Sequence, residues 1–555
     1  MDNGRRWPVR LPCCWSRQAV QCPGAFAGTA GAQAGRMTRR GRDRHHAGTT
    51  AAAAEIELKL RLPRASLRQA LASPLLVAAR GARTQKLSAT YFDTPALDLW
   101  RNRVALRVRR EGRRWVQAVK AGGSAASGVH MRQETETVIA GARPDIAVLP
   151  RDPATKILRS RKIAGTLIPV LSTEITRSVR LLEPAPGVLI EVAIDRGVIR
   201  SGRHRDPVCE LELELKQGPV TALFDLAQRL AAEIPVALEH RSKAARGYAL
   251  FSAGVAAPVK AEPVFVTRDM DAGAAFRAIA AAALAQVHAN EHGVISSADP
   301  EYLHQMRVGL RRLRSALGLF RDLLGDAVVP HAAALRTIAV ELGVARDWDV
   351  LVTETLPQMR EAAPPAAGTA AFDAACAACR QAMRRKSKKT IKTIGYAKAM
   401  LALGCWLGSP ETTASAPWRE PASAYASRVL VARHARVLKR GRHLAQRSAT
   451  DLHRLRIAVK KLRYAVEFFA GLFQVNDMTV QRARLARLQD ILGRINDATV
   501  VESLLDAAIA AAPGRAVAAA ADHVLEWHRA RAVAERGKLQ LAWRHYRAAR
   551  RPWRE

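Results

Sequence analysis

Two hydrophobic periods divide the chain. Between Glu55 and about Leu250 apolar and polar residues mostly alternate, the two-residue period that predicts strands. Beyond Asp271 apolar residues recur at three- and four-residue intervals almost to the end, which predicts helices packed by one stripe. The change of period falls across AGVAAPVKAEP, an Ala/Pro/Gly-rich stretch that reads as a linker. A second interruption, rich in Pro, Ser and Thr, runs from Gly408 to Pro421 and splits the helical half. Ahead of Glu55 no period holds. Residues 1–50, rich in Arg, Gly and Ala, read as a disordered basic extension, with Met37 an alternative start within it. The predicted organisation is a 1–50 extension, a 51–252 strand domain, a 253–265 linker and a 266–555 helical domain.

Alternation also assigns faces. In EIELKLRL, Glu55, Glu57, Lys59 and Arg61 share one side, and Ile56, Leu58, Leu60 and Leu62 the other. A single strand of this kind simply has a wet face. The arrangement recurs, however, with Arg107 and Arg109 in ALRVRR, and Arg132, Glu134 and Glu136 in MRQETETV. It returns with Glu191 and Asp195 in LIEVAID, and with Glu210, Glu212, Glu214 and Lys216 in CELELELK. Five such strands fit a closed sheet with a charged interior, since closure removes edges and alternation decides which residues point inward. That interior is costly unless its charges are compensated. Carboxylates suit hard divalent cations, Arg and Lys suit phosphate oxygens, and a metal–polyphosphate ligand satisfies both.

Composition narrows the partners. Lys plus Arg is 88 against 49 Asp plus Glu, a formal charge of +39. Such self-repulsion points to an anionic partner: nucleic acid, a membrane surface or a phosphate polymer. At roughly 100–200 residues per domain, 555 residues predict two to four domains. With 49% apolar and 25% charged residues the chain is not wholly disordered. Seven scattered cysteines argue against a disulfide framework, and Cys376-x-x-Cys379 lacks a second pair at zinc-site spacing. No uncharged apolar run approaches the roughly 18 residues of a membrane span, and the basic amino terminus lacks the apolar segment of a signal peptide. The expectation is a cytoplasmic protein with no membrane partner. RRKSKK at Arg384–Lys389 reads as general polyanion attraction, and no specific nucleic-acid readout motif accompanies it.

The E-x-E-x-K of Glu55, Glu57 and Lys59 resembles the signature of the CYTH, or triphosphate tunnel metalloenzyme, superfamily. In order behind it come TYFDTP, LRVR, Lys120, R-x-E-x-E, EVAIDRG, CELELELKQG and SKAARGYAL, covering about 200 residues. The resemblance implies an antiparallel eight-stranded tunnel that binds triphosphate compounds with Mg²⁺ or Mn²⁺. By the same resemblance Glu55, Glu57 and Lys59 form the catalytic signature. Glu55, Glu57, Glu212 and Glu214 match the metal-holding acids, with Asp195 a further candidate. Lys59, Arg107, Arg109, Lys120, Arg177 and Lys243 match the phosphate-binding cations, and Arg132 and Glu134 match polar tunnel positions. One departure is QAVK before Lys120, which lacks the Thr often found two residues ahead of that lysine. Hydrolysing a phosphoanhydride requires neutralising the oxygens that gain charge and placing a water in line. A metal-bound nucleophile and a carboxylate base both remain open.

The helical half carries a duplicated pattern. In LHQMRVGLRRLRSALGLF, His304, Arg307, Arg311 and Arg314 fall within about 80° of one another on a helix. Beside them Leu303, Met306, Leu310, Leu313, Leu317 and Phe320 form an apolar stripe. A near copy lies 149 residues on, where His453, Arg456, Lys460 and Arg463 occupy equivalent places. LGVARDWDV and LGRINDATV repeat as a second pair in the same order. Four-position geometry repeated twice predicts a shared anion site. The repeats resemble the CHAD domain, an all-α bundle with internal duplication, which implies inorganic polyphosphate binding. Asp347, Asp349 and Asp497 read as metal ligands or, since Thr499 replaces the second acid in the other repeat, rather as groups that orient the basic side chains or cap helices.

The function these readings predict is metal-dependent hydrolysis of inorganic triphosphate in the tunnel, with polyphosphate held by the helical half. Cytoplasmic placement on polyphosphate granules is compatible with it. The alternatives are a CYTH-type adenylate cyclase or thiamine triphosphatase, which share the triphosphate grip, and a non-catalytic polyphosphate scaffold.

Overall fold

The computed structural model describes residues 50–77, 79–126, 129–252, 257–362 and 369–554. The expected extension lies outside the described residues save for Thr50, as do 253–256 of the expected linker.

Eight long strands form the first half: β1 (Thr50–Arg61), β2 (Arg80–Asp93), β3 (Val104–Glu111), β4 (Arg114–Ala126), β5 (Val129–Ile139), β6 (Ile168–Ala185), β7 (Val188–Ser201) and β8 (His204–Gln217). They run antiparallel in the order β5-β4-β3-β2-β6-β7-β8-β1, and β5 pairs back onto β1, so the sheet closes. A ninth strand, β9 (Ala237–Leu238), adds two residues beside Leu60 and Arg61 of β1. The predicted eight-stranded tunnel is therefore present with one short strand appended.

The closed sheet turns its apolar side outward. Leu58, Leu60, Ile190, Val192, Ile194, Leu211 and Leu213 are buried beneath helix α1 (Thr221–Glu233), which supplies Leu223, Phe224, Leu226 and Leu230. Burying that layer removes the outer leucines from water at about 25 cal/mol per Å², which frees the inner face to be polar. Gly197 on β7 admits the β6 backbone, for a Cβ there would lie 1.9 Å from the Glu174 carbonyl oxygen. Helix α2 (Lys243–Phe251) is capped by the Ser242 hydroxyl, which accepts from the Ala245 N–H at 3.1 Å. Its Ala244 and Tyr248 pack on Tyr91, Leu171, Ile175 and Val208, which sets Lys243 at the tunnel wall.

The second half is helical. Its longer helices are α3 (Ala272–Ser296), α4 (Pro300–Leu319), α5 (Val329–Val350), α6 (Thr369–Ile391), α7 (Ile394–Gly408), α8 (Ala422–Arg440), α9 (Ala449–Phe468), α10 (Val475–Ala511) and α11 (Arg515–Arg547). The duplicated motifs fall on α4 with α5 and on α9 with α10, as the repeat predicts. The predicted stripe of α4 (Leu303, Met306, Leu310 and Leu313) shares one core with Leu455, Val459 and Leu462 of α9, and Arg312 of α4 pairs with Glu467 of α9. Leu401 of α7 joins the apolar layer outside the tunnel, which docks the bundle on the barrel. The stretches Ala272–Ser296 and Arg321–Ala362 are long and apolar enough to cross a membrane by length and composition. The first of them buries Gln286, His288, Asn290 and Glu291 within the fold.

Candidate functional site: a charged tunnel and a basic helical face

The barrel encloses a cavity of about 490 Å³. Eight carboxylates and eight Lys or Arg side chains line it, so the wall suits a ligand that itself carries both signs of charge. Strand register sets the pairs. Lys59 lies opposite Glu212, Lys120 opposite Glu134, and Arg177 opposite Asp195. Each cation then reaches a second acid. Lys59 donates to Glu57 at 2.6 Å and also to Glu212. Lys120 bridges Glu55 at 2.7 Å and Glu134 at 2.9 Å. Arg177 grips Asp195 at 2.8 and 2.6 Å and extends to Glu212. Lys243 meets Asp195, Glu210 and Glu212 at 2.7, 2.6 and 2.9 Å. Arg107 contacts Glu134 at 3.0 Å and Arg109 contacts Glu136 at 3.2 Å. Arg132 pairs with Glu55 in the ladder, but its side chain lies outside the described residues.

Mutual pairing keeps these groups charged. Burial works against the charge on Lys59, Lys120 and Lys243, yet the adjoining carboxylates outweigh it and all three are raised. Burial likewise disfavours ionised Asp195 and Glu212. Lys243, with Lys59 and Arg177 at Glu212, holds both below the usual carboxylate range. Glu214 goes the other way, raised by burial and by the nearby acids Glu55 and Glu191 despite Lys216. Arg109 is lowered by burial and by Arg107 beside it.

The donor set fits a hard divalent cation. Glu57 faces Glu214 across β1 and β8, and Glu191 faces Glu214 across β7 and β8, a row of three carboxylates. Oxygen ligands from carboxylates are what Mg²⁺ and Mn²⁺ take. Asp195, Glu210 and Glu212 bring further oxygens within 4.8 Å of one another, although both Asp195 oxygens already accept from Arg177. On the cationic side, the Nε–H groups of Arg107 and Arg109 are buried without a hydrogen-bond partner, as donors awaiting anionic oxygens would be.

On the bundle, α4 and α9 bring their basic rows together. Lys460 is depressed to about 8 by burial and then by Arg311, Arg456, Arg314 and Arg307, so both repeats bear on one point. Burial, with Arg311 and Arg346, lowers Arg307 to about 10 against the pull of Asp347. His304 is lowered by burial and Arg346. The Nδ1 of His304 and the Nε atoms of Arg307 and Arg456 are buried without partners. His453 and Arg463 turn to α10 instead, His453 to Asn496 at 2.5 Å and Arg463 to Gln489 at 2.9 Å. Asp349 is fully buried and accepts from Arg380 at 2.6 Å and Arg384 at 3.2 Å, so it orients cations, and RRKSKK lies in the last turns of α6.

Sequence reasoning left out Glu191 and Glu210 as oxygen donors and Arg246 as the companion of Glu210, although alternation already put Glu191 and Glu210 on the charged face. Arg246 is buried and joins Glu210 at 3.0 Å and Asp206 at 2.8 Å. The Asp of TYFDTP proves structural: Asp93 accepts from the backbone N–H groups of Thr94, Leu99 and Trp100.

Residues 53–248 match the CYTH domain model and residues 278–506 the CHAD domain model. Over 171 residues, 30% of this chain, it is 35% identical to an inorganic triphosphatase of Haemophilus influenzae. The match takes in 46% of that protein, so the chain spans about half the length of this curated relative. Among solved structures it is similar to the CHAD domain of Ricinus communis, with 33% identity, TM-score 0.49, 54% of this chain and 99% of that one. It is also similar to an adenylyl cyclase candidate from Hippeastrum described as revealing a dominant triphosphatase activity. There identity is 23%, the TM-score 0.28, and coverage 37% of this chain and 98% of that one.

Proposed function

Since the chain joins a CYTH domain to a CHAD domain, we propose that its tunnel hydrolyses inorganic triphosphate with Mg²⁺ or Mn²⁺ and that its helical face binds inorganic polyphosphate. The observation that carries the tunnel reading is the closed barrel whose enclosed wall combines carboxylates with Lys and Arg. Among the described residues lining it Tyr91 is the only aromatic, so little is on offer for stacking a nucleobase or a thiazolium ring. This favours the inorganic substrate over ATP or thiamine triphosphate.

Glu57, Glu214 and Glu191, with Glu55 and Glu212 beside them, would hold the metal, which when bound would draw charge from the phosphate oxygens as a Lewis acid. Arg107, Arg109, Lys120 and Arg177 clamp the remaining oxygens, exchanging carboxylate partners for phosphate. Lys59 holds Glu57 and Glu212 in place, and Lys243 adds a second hold on Glu212. With Glu214 among the metal holders, the attacking water would lose its proton at the metal or to a tunnel carboxylate. For the helical face, the carrying observation is that the Nδ1 of His304 and the Nε atoms of Arg307 and Arg456 lie buried without hydrogen-bond partners where the two basic rows meet.

Phosphate release from tripolyphosphate, ATP and thiamine triphosphate with and without Mg²⁺ tests the tunnel. Turnover of tripolyphosphate well above the others is expected. Retention of polyphosphate with no turnover of any of the three would leave a scaffold.

A further inference from the structure

A second cavity, about 670 Å³, lies between the barrel and the bundle, away from the tunnel acids. Its wall brings His240, between β9 and α2, against His288 and Glu291, one turn apart on α3. The two imidazoles stack with centroids 3.7 Å apart. His288 Nδ1 lies 2.7 Å from one Glu291 oxygen and His240 Nε2 lies 3.4 Å from the other. The Tyr396 hydroxyl donates to Glu291 from α7. One ligand atom from each of His240, His288 and Glu291 falls within 4.8 Å of the others. The His240 Nε2 is buried and forms no hydrogen bond of good geometry.

We propose that His240, His288 and Glu291 form a transition-metal site, of the Zn²⁺ class, that clips the CYTH domain to the CHAD domain. Two imidazoles and a carboxylate are a borderline N₂O set, unlike the all-oxygen set of the tunnel. An imidazole ligates along its in-plane lone pair, so the stacked rings, 22° apart in plane, must turn apart to meet one ion, and His288 then carries on Nε2 the proton it shared with Glu291. Tyr396 fixes the carboxylate from behind, as outer hydrogen bonds at metal sites do. The cavity leaves the fourth position to a water. Because one ligand comes from the barrel and two from the bundle, metal binding ties the relative placement of the two halves to metal supply.

The test uses the full chain carrying Glu57→Gln and Glu214→Gln, which weakens the tunnel's own claim on metal. Stripped with a chelator and titrated with Co²⁺, it should take up one equivalent with the strong visible absorption of a four-coordinate ion. Adding His240→Gln, a loop substitution, should abolish that band, and Tyr396→Phe should weaken affinity roughly tenfold. Circular dichroism and metal-free melting confirm that each variant is folded, and His288→Gln replaces His240→Gln if the latter is not. Absence of the band in the tunnel variant, or a band unaltered by loss of a folded variant's histidine, overturns the assignment.

Discussion

Glu57 and Glu214 stand directly opposite each other on the inner face of the β1–β8 ladder. Like charges so placed cost a few tenths to about 1 kcal/mol, and Glu191 on β7 extends the row. The arrangement gives up stability for a line of oxygen donors. Replacing Glu214 by Gln removes one charge from the row while keeping its shape. In chelator the variant should melt slightly higher than the parent, by the equivalent of about 0.5 kcal/mol, and its Mg²⁺-dependent turnover should fall at least tenfold. Thermal unfolding and phosphate release read the two effects. A lower melting temperature with full turnover would remove Glu214 from the metal seat.

Asp195 presents the reverse case, a carboxylate with no exposure whose oxygens are held by Arg177 and Lys243. Asp195→Asn takes one carboxylate from each cation, leaving Arg177 with Glu212 and Lys243 with Glu210 and Glu212, at a cost of about 1.5–3 kcal/mol at neutral pH. The folded state holds Asp195 below its ordinary 3.8. The stability it contributes is therefore complete above that value and disappears as pH falls through the depressed one. Urea unfolding should show a large gap between parent and variant at pH 7 that narrows below pH 3.8. A gap of constant size would mean the pair's charge is not what stabilises the wall.

Alternation made the tunnel legible in the sequence because it is a local property: Glu55, Glu57 and Lys59 declare a shared face within five residues. The helical duplication was legible for the same reason, since His304 and His453 each open the same spacing. What alternation cannot supply is which strand lies beside which. The Glu57–Glu214–Glu191 row requires β7, β8 and β1 to be neighbours in one register, and neither Glu191 nor Glu210 carries a local mark of its role. Arg246 reaches Glu210 from a helix, and His240 reaches Glu291 from another domain. His453 and Arg463 share the spacing of His304 and Arg314, and what the spacing could not show is that Asn496 and Gln489 on α10 hydrogen-bond them.

Lys460 links pH to anion capture. Free, it titrates near 8 because burial and four arginines crowd it, and a bound phosphate chain would restore its proton. Polyphosphate affinity should therefore decline as pH rises from 7 to 9. In Lys460→Arg, whose guanidinium stays charged, the decline over that window should vanish. The folded value lies below the ordinary 10.5, so the charged lysine costs stability below about pH 8, and the cost fades as pH climbs toward 10.5. Lys460→Met should stabilise the anion-free protein at pH 7 by about 1 kcal/mol once solvent screening is allowed for, while weakening polyphosphate binding. Isothermal titration and melting curves across pH 6.5–9.5 decide it, and a flat parental affinity profile would refute the link.

The two halves can be separated by substitution. Arg307, Arg311, Arg456 and Lys460 converge on the helical face but line no part of the tunnel. Changing all four to Ala should weaken long-chain polyphosphate binding and flatten its salt dependence, by roughly one unit of log–log slope for each phosphate no longer neutralised. Tripolyphosphate turnover should persist in that variant. Conversely, Glu55→Gln with Glu57→Gln should abolish metal-dependent turnover and leave polyphosphate capture intact, because both acids lie within the barrel wall. Filter-binding across a salt series, run beside phosphate release, distinguishes the outcomes. If the quadruple variant bound polyphosphate as before, the chain would have to run over a different surface. If the double variant still turned over substrate, the oxygen donors would lie elsewhere in the tunnel.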